Sequence, residues 1–85
     1  SEIFSSYPQV LLNNPNKDKE KVLTSTDLKI ATESAESELG NDGRILIRAS
    51  GTEPLIRVMV EADTQSKADV MARKLADAVE SAANA

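Results

Sequence analysis

Apolar residues recur along this chain with two different spacings, and the changes between them predict its elements. Residues 9–13 (QVLLN) form a short apolar run entered through Pro8, which predicts a buried strand whose first position needs no ladder donor. Residues 14–21 (NPNKDKEK) are polar, with Asn14-Pro15 as turn former, and are expected to be a mobile loop. A helix is expected from about Thr26, its N-cap, to Leu39. Asp27 suits the positive end of the helix dipole, and Gly40 stands where a helix ends. Leu28, Ala31, Ala35 and Leu39 lie close to the roughly 3.6-residue helical repeat and give its inward face. Asn41-Asp42-Gly43 makes the turn out.

The spacing then changes to strict alternation. Residues 44–49 and 55–62 are both rich in β-branched side chains. Ile45, Ile47 and Ala49 share one face of the first strand, and Ile56, Val58 and Val60 share one face of the second. A last helix runs from near Thr64 to about Ala82, with Ala68, Met71, Ala72, Leu75, Val79 and Ala82 as its buried stripe. The order strand, helix, strand, strand, helix predicts a small two-layer α+β domain: a mostly antiparallel sheet with two helices on one face. The segment SEIFSS has no initiator Met and reads as the last turn of an amphipathic helix, with Ile3 and Phe4 inward. It suggests a single domain, residues 1–85, cut from a longer chain.

Strand parity brings chemistry into view. An antiparallel hairpin with both core faces on the same side pairs Ile45 with Val60, Ile47 with Val58 and Ala49 with Ile56. The same register sets Arg48 directly opposite Arg57 on the face away from the core. Like charges so placed cost a few tenths to about 1 kcal/mol, and an anion between them would reverse that sign. The intervening RASGTEP adds the hydroxyls of Ser50 and Thr52. Gly51 allows close backbone approach or a positive φ, and backbone N–H groups of such a turn can form an anion nest. Arg suits the task because its planar fork meets phosphate oxygens two at a time. Pro54 stiffens the loop exit, and Glu53 is expected to orient an arginine or face a sugar. Read alone, Ser-Gly-Thr is more simply an ordinary tight turn between solvated charges; Arg48 and Arg57 are what bring the phosphate reading ahead of it.

Composition narrows the choice. At 85 residues the chain can bury one modest core. With 10 basic and 14 acidic side chains the formal charge is −4, which argues against a nucleic-acid or anionic-membrane surface, so any bound anion needs a local site. The absence of Cys and His removes disulfides, thiolate and imidazole catalysis and the usual zinc sites. No run approaches the roughly 20 apolar residues of a membrane span, and no signal peptide is evident, so a cytoplasmic location is expected.

The segment GRILIRASGTEPLIRVMVEA, residues 43–62, resembles the phosphate-binding signature in the C-terminal domain of the α-D-phosphohexomutase superfamily, and its wording is nearest the branch acting on glucosamine phosphates. YPQVLLN, residues 7–13, is similar to the first strand of that TATA-binding-protein-like domain. The resemblance implies a four-domain enzyme in which a phosphoserine and a magnesium ion, both in domains absent from this chain, interconvert glucosamine 6-phosphate and glucosamine 1-phosphate through a bisphosphate. It implies that Arg48, Ser50, Gly51, Thr52 and Arg57, supported by Glu53 and Pro54, hold the phosphate that is not being transferred. On that reading this chain carries no catalytic residue, binds no metal or cofactor and is inactive alone. Its partners are the phosphosugar and the other three domains. Ser50 has no base beside it and is read as a phosphate ligand, and Asp42-Gly43 as a turn. The same element order would also suit a phosphomannomutase or phosphoglucomutase relative, a small regulatory module binding its ligand in a groove between domains, or a protein-interaction domain.

Overall fold

The computed structural model describes residues 7–84, so the expected helical turn around Ile3 and Phe4 lies outside the described residues. The elements are β1 (Gln9–Pro15), α1 (Lys19–Leu23), α2 (Thr26–Leu39), β2 (Gly43–Ala49), β3 (Leu55–Ala62) and α3 (Gln65–Asn84). β3 is the centre of a three-stranded antiparallel sheet of order β1-β3-β2. The two-layer α+β architecture agrees with the apolar pattern, as does the β2–β3 register: Ile45 pairs with Val60, Ile47 with Val58, Ala49 with Ile56 and Arg48 with Arg57.

Period-two patterning and the helical stripe close on the same core. Ile56, Val58, Val60 and Ala62 of β3 are fully buried, as are Ala68, Ala72, Leu75 and Val79 of α3. Each large member contributes about 1.5–3 kcal/mol of transfer free energy. All six positions of the α3 stripe are buried. Thr64 caps this helix, its Oγ accepting from the Lys67 N–H at 3.1 Å. α2 contributes Leu28, Ala35 and Leu39 to the core, while Ala31 is half-buried. It ends at Gly40, whose φ of 58° needs a residue without Cβ and whose N–H returns to the Glu36 carbonyl at 2.9 Å. Gly43 is needed for another reason: a Cβ there would run into the backbone carbonyl of Glu61 across the ladder.

The structure corrects several expectations. The first strand is not buried: it is an edge strand, longer than expected, with Val10 and Leu12 half-buried inward and Leu11 exposed, because only one of its faces is covered. Residues 14–21 are not a continuous loop. Asn14 and Pro15 pair with Ile56 and Leu55 in β1, where an edge position tolerates the missing N–H of proline. The turn instead centres on Asn16, whose Oδ1 accepts from the Asp18 N–H at 2.8 Å. α1 is an additional helix, pinned by the fully buried Val22. The N-cap of α2 is Ser25 rather than Thr26, its Oγ accepting from the Leu28 N–H at 3.3 Å. Ile47 borders an open groove beside α2 and is half-buried, and Ala49, next to the loop, is exposed.

The sheet face away from the helices is open. Its rows run Gln9, Glu61 and Arg44; then Leu11, Met59 and Leu46; then Asn13, Arg57 and Arg48. Leu11 and Leu46 are exposed, and Met59 is half-buried. No helix among the described residues is long and apolar enough to cross a membrane.

Candidate functional site

The site grows from the last of those rows. β2 and β3 hold Arg48 and Arg57 directly opposite one another, side by side on the open face, and both are exposed. Among the described residues neither guanidinium has a hydrogen bond or ion pair. At the other end of the same ladder Arg44 faces Glu61 and donates Nε–H to its Oε1 at 3.0 Å. β1 adds a third member beside the arginines, since Asn13 pairs with Arg57 from the other side. Its amide was not anticipated from the sequence. Parity within β1 carried the signal, but only knowledge that β1 pairs with β3 would have located it.

The loop between β2 and β3 closes on itself. Ser50 N–H donates to the Leu55 carbonyl at 3.0 Å, Leu55 N–H to the Glu53 carbonyl at 2.8 Å, and Glu53 N–H to Ser50 Oγ at 3.3 Å. These bonds use the ends of the loop and leave its middle open. Among the described residues Gly51 N–H, Thr52 N–H and the Thr52 hydroxyl have no hydrogen-bond partner. Ser50 Oγ accepts one bond and retains its own proton for donation. Arg48, Ser50, Gly51, Thr52 and Arg57 are thus brought to one end of the sheet, and the donors the chain leaves uncommitted there are of one kind, suited to an anion.

At two loop positions the structure removes one of two expected alternatives: the positive φ at Gly51, which leaves close backbone approach, and the arginine contact of Glu53, which leaves a role toward a sugar. Gly51 has no positive φ. A Cβ added to it would meet nothing within 4 Å, so neither backbone strain nor internal packing demands glycine at this position. The Glu53 carboxylate orients no arginine: among the described residues it accepts no hydrogen bond and makes no ion pair. Glu53 takes part in the loop through its backbone alone. Pro54 stands at the loop exit as expected, and its carbonyl accepts from the Asn16 N–H at 2.6 Å.

Segment 16–19, expected to be loose, braces this loop from behind. Besides the Asn16 bond, Lys19 Nζ donates to the Ser50 carbonyl at 2.6 Å and to the Glu53 carbonyl at 3.2 Å. Lys19 lies 31 residues before Ser50, and no local pattern in the sequence connects them.

Other places offer less. An open groove of about 500 Å³ lies between α2 and β2. Several of its hydroxyls already serve the helices beside it: Thr24 Oγ donates to the Glu20 carbonyl at 2.8 Å, Ser25 Oγ caps α2, and Thr32 Oγ donates to the Leu28 carbonyl at 2.8 Å. Among the described residues no group of three or more acidic side chains could hold a metal ion. Asp42 is part of the turn after α2, with its N–H on the Leu39 carbonyl at 3.0 Å. Its carboxylate accepts from the Tyr7 hydroxyl at 3.4 Å, and that negative charge raises the Tyr7 pKa above the usual tyrosine value, helped by desolvation, Asp63 and Glu61.

The chain matches the family described as phosphoglucomutase/phosphomannomutase, C-terminal domain, over residues 11–78. It is 52% identical over 80 residues to a phosphoglucosamine mutase of Streptomyces griseus subsp. griseus, covering 94% of this chain and 18% of that protein. It is 51% identical over 79 residues to a phosphoglucosamine mutase of Caldanaerobacter subterraneus subsp. tengcongensis, covering 91% of this chain and 18% of that protein. In three dimensions it is similar to Aspergillus fumigatus N-acetylphosphoglucosamine mutase, solved in complex with GlcNAc-6P and magnesium. There the TM-score is 0.74 and the identity 31%, covering 91% of this chain and 16% of that one. The chain therefore spans less than a fifth of the length of these relatives.

Proposed function

The chain belongs to the phosphoglucomutase/phosphomannomutase family, as a C-terminal domain of it, and from that premise we propose that it is the phosphate-binding domain of a cytoplasmic phosphoglucosamine mutase. The whole enzyme would interconvert glucosamine 6-phosphate and glucosamine 1-phosphate by way of a bisphosphate, with this domain and three others closing around the sugar. Phosphoryl transfer would use a phosphoserine and magnesium supplied by the other domains, and no step of it passes through residues of this chain.

This chain's part is to hold the phosphate that is not reacting. Arg48 and Arg57 would take its oxygens from the open face of the sheet, with the Ser50 and Thr52 hydroxyls and the Gly51 and Thr52 N–H groups closing the cage from the loop. Gly51 keeps the loop surface bare so that an anion can reach those N–H groups. Such a clamp contributes orientation and charge neutralisation rather than proton transfer or nucleophilic attack. Ser50 is a ligand within it, and the isolated domain should show no mutase turnover. The observation that carries this reading is the pair of arginines facing each other with no anionic group of the described chain between them.

The test is kinetic. In the full-length mutase Arg48→Ala should raise KM and lower kcat/KM by the equivalent of about 2 to 4 kcal/mol, the loss of a charged, hydrogen-bonded contact in the transition state. Kinetics equal to those of the unaltered enzyme would sink the assignment.

A further inference from the structure

Any loop that binds an anion through backbone N–H groups must keep its carbonyl oxygens turned away, because a carbonyl and a phosphate oxygen repel. In a trans peptide the C=O of one residue and the N–H of the next lie in one plane and point in opposite directions, and none of the described peptide bonds is cis. The direction of the Ser50 carbonyl therefore sets the direction of the Gly51 N–H. Lys19 Nζ holds that carbonyl at 2.6 Å.

The same ammonium donates to the Glu53 carbonyl at 3.2 Å, so one cation bridges the two ends of the turn. Lys19 is itself held in place. It begins α1, whose Val22 is fully buried in the core, and the Asn16 N–H ties the segment just before it to the Pro54 carbonyl at 2.6 Å. Three hydrogen bonds thus run from residues 16–19 to the carbonyl side of the loop. The donors left uncommitted, Gly51 N–H and Thr52 N–H, belong to the stretch between the bridged residues. A charged donor on the Ser50 carbonyl also polarises the shared peptide unit and makes Gly51 N–H a stronger donor in turn.

We infer that Lys19 is a positioning residue for the phosphate loop: it locks the Ser50–Gly51 peptide so that its N–H faces the anion, and its positive charge supports the site from behind without touching the substrate. The inference rests on the reading of the loop as a phosphate clamp. It adds a third cation to the two arginines, one contributed by a segment far away in sequence.

The experiment compares Lys19→Met, Lys19→Arg and Arg48→Ala in the full-length mutase, with glucosamine 6-phosphate as the varied substrate and thermal melting as the control for folding. Lys19→Met keeps most of the aliphatic stem and removes the charge and both hydrogen bonds. It should raise KM about tenfold, as expected for the loss of hydrogen bonds from a charged donor, with a much smaller change in kcat. Lys19→Arg, which keeps charge and donors, should recover most of that loss. In the 85-residue chain, the Gly51 amide resonance should move in Lys19→Met before any ligand is added, whereas Gly43 and the α3 amides should not. A purely structural lysine would lower the melting temperature and leave KM unchanged in the folded fraction, and that result overturns the inference. So does a KM for Lys19→Met equal to that of the unaltered enzyme. If Arg48→Ala raises KM and Lys19→Met does not, the phosphate clamp stands and only the role of Lys19 falls. If Arg48→Ala has no effect either, the clamp itself is wrong and this inference goes with it.

Discussion

At one end of the β2–β3 ladder Arg44 faces Glu61 and donates to it at 3.0 Å, while farther along the same strands and the same face Arg48 faces Arg57, with no anionic partner among the described residues. Backbone geometry and register are matched in the two rows; Glu61 is half-buried where Arg57 is exposed, and beyond that the rows differ in side-chain chemistry. A paired row at a surface contributes about 0.2–1 kcal/mol, and a like-charged row costs about as much. The self-satisfied end is also the acidic one: Asp42, Glu61 and Asp63 all act on Tyr7 there. The unsatisfied end gathers Arg48, Arg57 and, from behind the loop, Lys19. The chain as a whole carries a formal charge of −4, so this concentration of positive charge runs against the average. Under the proposed function this is how an acidic domain would bind an anion: charge is placed locally, and repulsion is tolerated where a ligand would relieve it.

The largest expected effect comes from making the second row a copy of the first. Arg57→Glu sets a carboxylate opposite Arg48, as Glu61 stands opposite Arg44. The domain should become more resistant to urea by about 1 kcal/mol, as repulsion is exchanged for attraction. In the full-length mutase the same change should lower kcat/KM at least about a hundredfold, because the clamp now carries its own anion. A variant that gained stability and kept its activity would show that the two rows differ by accident.

The two glycines flanking this contrast should separate the ends a second way. Gly43 lies in the paired row's strand, where a Cβ would strike the Glu61 carbonyl; Gly51 lies in the loop, where a Cβ would meet nothing within 4 Å and φ is not positive. Gly43→Ala should therefore lower stability by about 1–3 kcal/mol, the cost typical of forcing atoms into an occupied space, and leave the phosphate site's kinetics in the folded protein unaltered. Gly51→Ala should leave stability equal or raise it by about 0.4–1 kcal/mol through the unfolded chain. Yet it should raise KM by obstructing the anion's approach. Denaturant titration and steady-state kinetics on the same pair check both halves, and equal stability losses at the two positions would show that the loop needs glycine for its own fold.

The two rows were legible in the sequence because β2 and β3 have unambiguous parity: Ile45, Ile47, Ile56, Val58 and Val60 mark the core face, and the register that pairs Ile45 with Val60 and Ala49 with Ile56 carries the arginines with it. The six-residue stripe of α3 was legible for the same reason, being long enough for its period to show. Elsewhere the signal was too short or divided. In QVLLN the adjacent Leu11 and Leu12 hide the alternation, so an edge strand with one wet face read as a buried one. α1 has a single buried residue, Val22, which is too little to display a helical period. Ser25 and Thr26 are neighbouring cap formers, and only the Ser25 bond to Leu28 N–H decides between them. The motif residues of the loop were named correctly as neighbours in space, but the brace beneath them was not. A lysine side chain reaching backbone carbonyls leaves no mark in sequence, since every residue has a carbonyl.

Tyr7 offers the smallest and most selective probe of the acidic end. It is the only tyrosine in the chain, so the rise of phenolate absorbance with pH reports on it alone. Its pKa is raised chiefly by the charge of Asp42, whose carboxylate also accepts the phenolic proton in a hydrogen bond at 3.4 Å. The folded state therefore holds this proton more tightly than the unfolded chain does. That contribution to stability is present below the ordinary tyrosine value of about 10 and is lost as pH rises through the higher folded value. Asp42→Asn removes the charge and should bring the midpoint back toward the ordinary value. Because the phenol is solvent-exposed, added salt should do part of the same. Arg48→Ala and Arg57→Ala, at the other end of the sheet, should leave the midpoint in place. A midpoint that moved with the arginines and ignored Asp42 would mean that the two ends share one electrostatic field, and that the separation between a satisfied row and a waiting one does not hold.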